Sequence, residues 1–129
     1  VRLDDVGDTI AAMAWSPDGL LLACGLRNGS LHLFDGTTGK RVGSLAPHER
    51  QIYDIAWSSD GRVLITADAD GLRISDVATL STYDELRPGW KIETMCLAAD
   101  GGWIAIGGRA AVHNPDEQAR LAILDLDPR

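Results

Sequence analysis

His48, Thr66 and Asp70 are of the residue types that together perform nucleophilic chemistry: a hydroxyl to attack, an imidazole to take its proton and a carboxylate to orient the ring. That chemistry needs the hydroxyl exposed in a pocket with its base in reach, whereas Thr66 falls inside an apolar strand pattern running from Arg62 to Ala67. A phosphate cradle needs a glycine-rich turn between a strand and a helix, and Gly107-Gly108 lacks that context. For metal chemistry, His32, His48 and His113 are scattered along the chain, and neither Cys24 nor Cys96 has a second ligand at zinc-type spacing. The residues therefore point to no catalytic site, no cofactor and no metal.

The elements that must position these side chains follow from a pattern that returns three times. Ile10 to Gly19 reads IAAMAWSPDG, Ile52 to Gly61 reads IYDIAWSSDG, and Ile92 to Gly101 reads IETMCLAADG. The step from Asp18 to Asp60 is 42 residues and from Asp60 to Asp100 it is 40, within the period of roughly 40–45 that marks four-stranded propeller blades. Each repeat opens on a run whose two alternation sets are both apolar, such as Ile10, Ala12 and Ala14 against Ala11, Met13 and Trp15, which predicts a strand buried on both faces. Tight-turn signals follow at Pro17-Asp18-Gly19, Asp60-Gly61 and Asp100-Gly101. Second strands are expected at Leu20 to Gly25, Arg62 to Ala67 and Gly102 to Gly107, and third strands at Ser30 to Asp35, Leu72 to Asp76 and Leu121 to Asp125. Looser patterns at Arg41 to Ala46 and Ser81 to Leu86 suit outer edges. No helical period is present, so the class is all-β.

Composition narrows the function classes. The 12 Lys plus Arg against 19 Asp plus Glu give a formal charge of −7, which argues against nucleic acid as a partner. No apolar run approaches the roughly 20 residues of a membrane span, and no signal peptide is visible, so no membrane partner is expected. Cys24 and Cys96 lie in apolar strand patterns and read as buried, reduced thiols, consistent with a cytoplasmic setting. Trp15 and Trp57 occupy equivalent strand positions and read as packing residues, whereas Trp103, after a glycine pair, is expected to be partly exposed.

In these features the chain resembles the WD-repeat β-propeller family. The resemblance rests on Ser16 to Gly19 and its variant Ser58 to Gly61, and on Phe34-Asp35, Ser75-Asp76 and Leu124-Asp125 where the family carries Trp-Asp. It implies a propeller segment of three four-stranded antiparallel blades forming a single domain, 1–129. Residues 1–5 would be an orphan outer strand and the repeats would span about 6–46, 47–87 and 88–129. It also implies that His48, Thr66 and Asp70 form a side-chain hydrogen-bond network that stabilises the second blade, with Ser75 in place of the family's Trp. Val6, Cys24 and Asn28 in the first repeat, and Pro88 and Ile106 in the third, cannot build one.

Two connections lack a packing explanation, and the resemblance puts both on one face of the ring. Trp90, in the turn Arg87 to Lys91, is a candidate binding anchor or else packs against a neighbouring blade, and the third repeat crosses to its last strand through a long polar segment, Arg109 to Arg120, either functional or an inert insertion. The candidate partner-binding residues are Glu49, Arg50, Gln51, Trp90, Arg109, His113, Asn114, Asp116 and Glu117. Three blades also leave two open faces, expected to be lined by Ile10, Trp15, Ile92 and Leu97 or their strand neighbours. Closure would come from copies of the chain, two in a six-bladed ring or three in a nine-bladed one, with residues 1–5 pairing beside Leu121 to Asp125 of the next, or from the rest of a longer propeller. The expected function is a protein–protein interaction and assembly scaffold without catalysis, the alternative being a sensor or regulatory propeller module of a larger multidomain protein.

Overall fold

The computed structural model describes residues 6–99, 102–109 and 119–125, and every regular element among them is a strand. β1 (Ile10–Trp15), β2 (Leu21–Leu26), β3 (Leu31–Asp35) and β4 (Arg41–Leu45) form one antiparallel sheet in chain order. β5 (Asp54–Trp57), β6 (Val63–Ala67), β7 (Leu72–Asp76) and β8 (Ser81–Leu86) repeat it. β9 (Lys91–Leu97), β10 (Trp103–Arg109) and β11 (Arg120–Asp125) form a third sheet, of three strands among the described residues. The class is all-β and the sheets are propeller blades. Residues 1–5, expected as an orphan strand, lie outside the described residues. Among the described residues no helix is long and apolar enough to cross a membrane.

The recurring Ser-x-Asp-Gly turns have a local cause. Ser16 Oγ donates to Asp18 Oδ1 (2.6 Å) and accepts from the Leu21 amide (3.0 Å), while Asp18 Oδ1 accepts from the Leu20 amide (3.0 Å). Ser58 and Asp60 repeat these bonds with Arg62 and Val63. Gly19 and Gly61 each sit at φ 73°, which a side chain rarely adopts. The serine hydroxyls are the main reason that both aspartates titrate below the usual carboxylate range.

Blades cover one another. The first core joins Ala23, Leu31, Leu33 and Leu45 of the first blade to Ile52, Ile55, Trp57 and Leu64 of the second. The second core joins Ile65, Ala67 and Leu72 to Ile92, Met95, Ile104 and Ile106 of the third blade. Each buried aliphatic contributes roughly 1.5–3 kcal/mol. Gly25 marks a close approach of the two blades, because a Cβ there would lie 2.6 Å from Ile52 Cγ2. The outer strands β4 and β8 stay mostly exposed and polar, as an unpaired edge requires.

Neighbours also decide where sequence equivalence breaks down. Trp57 is 7% exposed and its indole N–H donates to the Ala14 carbonyl of the first blade (3.0 Å), but Trp15, its equivalent, is 56% exposed because no neighbouring blade lies against β1 on that side among the described residues. The reading of both as packing residues therefore holds for Trp57 alone. Cys24 is buried, whereas Cys96 is exposed, contrary to expectation, since its side of the third blade is open. Ile92 and Leu97 pack toward the second blade, so the open face there carries their strand neighbours instead. Trp103 is 48% exposed.

Gly25→Val, which drives methyls into Ile52, is expected to destabilise the chain by about 1–3 kcal/mol, and Leu64→Ala by about 2–5 kcal/mol. Val42→Ala, on an exposed edge, should stay within about 0.5 kcal/mol. Urea unfolding followed by circular dichroism measures all three, and equal effects would contradict the packing scheme.

Candidate functional site

Successive hairpins put one set of loops at one end of the blades: residues 27–30, 46–53, 68–71 and 87–90, with Arg109 at the end of β10. The connection carrying His48 is anchored by backbone. The His48 amide donates to the Gly29 carbonyl (2.8 Å), and the His48 carbonyl lies 2.1 Å from where a Cβ of Gly29 would be, so that position, at φ 92°, admits only glycine. Arg73 grips the same segment, donating to the carbonyls of Ala46 and Pro47 while its Nε pairs with Glu85 (3.0 Å).

The His48 ring turns inward. Its Nδ1 is 2.7 Å from Asp68 Oδ2 and its Nε2 is 2.6 Å from Thr66 Oγ1, with all three residues buried. A carboxylate only accepts, so Nδ1 carries the proton and Nε2 accepts from the Thr66 hydroxyl. The acid is thus Asp68, not the expected Asp70. Asp68 begins the hairpin, and its Oδ1 accepts the amides of Asp70 (2.8 Å) and Gly71 (2.9 Å), which fixes the other oxygen toward His48. Aspartate bonding amides two and three residues on is the ordinary chemistry of such turns, and that was the available signal for choosing Asp68. The void beside the ring measures about 10 Å³, room for roughly one water.

Asp70 points outward and joins three connections: it pairs with Arg50 of the 46–53 segment and with Lys91 at the start of β9. The Lys91 hydrogen bond, followed by the Arg50 charge, holds the Asp70 carboxyl below its usual range. Lys91 was missed by sequence reasoning, because nothing local marks a cation that serves a turn 21 residues earlier. Of the expected partner-binding residues, Glu49 and Arg50 are exposed and Gln51 is half-buried. Arg109 is exposed and pairs with Glu93 (3.0 Å). Trp90 is half-buried and packs on the second core. Its edge, with Asp70, Arg87, Gly89 and Lys91, lines an open groove of about 270 Å³. His113, Asn114, Asp116 and Glu117 lie outside the described residues.

A family model described as the anaphase-promoting complex subunit 4 WD40 domain matches residues 2–57. WD repeat-containing protein 1 of Xenopus tropicalis is 34% identical over 87 residues, which are 64% of this chain and 14% of that protein. Cell division cycle 20.4, cofactor of APC complex, of Arabidopsis thaliana is 33% identical over 123 residues, 94% of this chain and 26% of that one. The chain spans about a quarter or less of the length of these two curated relatives. Among solved structures, Kuenenia stuttgartiensis hydrazine synthase superposes with a TM-score of 0.80 at 19% identity, covering 98% of this chain and 35% of that one. The RRP9 WD40 repeats superpose with a TM-score of 0.74 at 14% identity, covering 81% and 34%. At these identities the superpositions establish the fold.

Burial pushes the His48 pKa below its ordinary 6.5, outweighing the Asp68 hydrogen bond and charge that raise it. The unfolded chain therefore binds the extra proton more readily, and stability present above about pH 6.5 should be lost as pH falls toward the lower folded value. His32, lowered by burial and by Arg41, adds a contribution of the same sign. His48→Gln is expected to reduce the pH slope of stability below 6.5 without abolishing it, and His48→Ala to cost about 1–3 kcal/mol at pH 8 by stranding Asp68 and Thr66. Urea titrations at a series of pH values test this, and an unchanged slope in His48→Gln would contradict it.

Proposed function

The chain belongs to the WD-repeat β-propeller family, and from that premise we propose that it is a protein–protein interaction and assembly scaffold with no catalysis of its own. The observation that carries the reading is the loop end of the blades, where Glu49, Arg50, Asp70, Trp90, Lys91 and Arg109 lie and where ion pairs brace Asp70 to Arg50 and Lys91, and Arg109 to Glu93. Rigid loops of mixed charge around a half-buried aromatic suit a protein surface. The groove beside Trp90 is smaller than the roughly 300–1,000 Å³ of small-molecule sites and is open along its length. Against catalysis by His48 and Thr66 stands their state: Thr66 donates to His48 inside the blade, and both are buried.

The same proposal assigns closure of the two open blade faces to other copies of the chain, two completing a six-bladed ring, or to further repeats of a longer protein. Exposed Trp15, Met13, Leu121 and Ile123 on those faces support it. A cytoplasmic setting is part of the reading, supported by the free thiols of Cys24 and Cys96.

Lys40 and Lys91, the lysines of the chain, lie at opposite ends of the blades. Amine-reactive cross-linking of the protein in its native extract should therefore join partner proteins to Lys91 and leave Lys40 free of them; the reverse pattern would refute the loop face. Light scattering should report a multiple of 13.8 kDa, and a cooperatively folded species at the single-chain mass would contradict closure by copies.

A further inference from the structure

We propose that the open face of the third blade is the seat for the first blade of a second copy, with Trp15 as the inserted side chain and the Cys96 carbonyl as its acceptor. The inference rests on the reading of the open faces as assembly surfaces, and it goes on to say which face meets which and through what contacts.

The two internal junctions supply the argument. Strand register sets equivalent cross-strand rows on the receiving faces: Ala14–Ala23–Leu33 in the first blade, Ala56–Ile65–Ile74 in the second and Cys96–Ala105–Ile123 in the third. A second row reads Ala12–Gly25–Leu31, then Asp54–Ala67–Leu72, then Thr94–Gly107–Leu121. Where the middle of the face is small, as with Ala23 and Gly25, the entering blade brings Ile52 onto the glycine and Trp57 onto the face, with the indole bonded to the Ala14 carbonyl. Where it is bulkier, as with Ile65 and Ala67, the entering blade has Leu97 at the tryptophan position. Receiving volume and entering volume thus compensate across each junction, as close packing demands.

The third blade returns to the small form, with Ala105 and Gly107. It is therefore shaped for a blade that carries isoleucine and tryptophan. The first blade carries both at the equivalent positions, Ile10 and Trp15, on a face no described residue of the chain occupies along β1. Trp15 has its indole N–H without an acceptor among the described residues, and the carbonyl equivalent to that of Ala14 belongs to Cys96. On the receiving side, Leu121 is 72% and Ile123 63% exposed, against 1% for each of their equivalents Leu31 and Leu33. Gly107 makes the same point from the opposite direction. A Cβ there would meet only Thr94 Cγ2 at 3.3 Å and the Arg120 carbonyl at 3.9 Å, so the described fold demands glycine far less than at Gly25, where Ile52 requires it. An incoming Ile10 would supply that demand. Val6 packs on Leu22, Cys24 and Phe34 further out on the first blade's face, leaving Met13 and Trp15 of the inner strand open.

The test uses the 129-residue chain and light scattering across a dilution series. Gly107→Leu fills the seat, and Trp15→Glu removes the side chain that enters it. Each variant alone is expected to fall to the single-chain mass of 13.8 kDa at concentrations where the unaltered chain is associated. Mixed in equal amounts, they should regain a two-chain species, because each contributes the face the other lacks. Circular dichroism and urea unfolding verify that each variant is folded, and Leu121→Glu, at an exposed position, stands in for Gly107→Leu if that one does not fold. Association unchanged in both Gly107→Leu and Leu121→Glu would overturn this pairing while leaving assembly through another surface intact. A mixture that stays at the single-chain mass would equally overturn it, and an unaltered chain that is a folded monomer would remove this pairing and closure by copies together.

Discussion

Apolar side chains on both sides of a thin twisted sheet are the constraint on which the structure depends. A blade of this kind cannot bury its own faces, so each is stable only to the extent that a neighbour presents a matching surface. The second blade has a neighbour on either side, and Ile52, Leu64, Ile65 and Leu72 are almost wholly buried. The first and third blades each have one, and the difference is visible residue by residue: Trp57 is buried and bonded, whereas Trp15, with the same place in its strand, is open. Packing here is a property of pairs of blades, and side-chain volume is distributed accordingly, with Gly25 hollowed to admit Ile52.

The loop end of the blades inherits its rigidity from the same junctions. His48 sits on the chain that passes from the first blade to the second, where its backbone bonds Gly29 and its ring is locked by Asp68 and Thr66. One step further on, Asp70 gathers Arg50 and Lys91 from the connections on either side of it. Because Lys91 opens the third blade, this ion pair bridges the second junction at its surface while the aliphatic core closes it below. Surface pairs of this kind add little to stability on their own. Their effect is to hold three loops in register, which under the proposed function would give a partner a preformed surface rather than one that must be ordered on binding.

Local chemistry was legible in the sequence and neighbour-dependent chemistry was not. The strands and their turns could be read because both rest on residues a few positions apart: two-faced apolar runs, and a serine and an aspartate that bond within their own hairpin. His48 and Thr66 could be paired through the family resemblance, but the resemblance put the acid at Asp70, two residues past Asp68, the aspartate whose Oδ1 caps the turn amides and whose Oδ2 faces His48. The exposure of Trp15 and Cys96 could not be read at all from strand patterns, since a strand's alternation says which residues share a face and not whether anything lies against it. Trp90 is an intermediate case, a loop residue by sequence whose ring packs on the core between the second and third blades.

Hydrogen exchange at increasing dilution tests most directly the claim that blade stability is lent by neighbours. Amides of β6, covered on both faces, should exchange slowly at every concentration, while those of β1, β10 and β11 should lose protection as the chain is diluted to the single-chain state. Equal and concentration-independent protection across β1, β6 and β10 would contradict the account, because it would mean that a blade with one open face holds itself together as well as one with none.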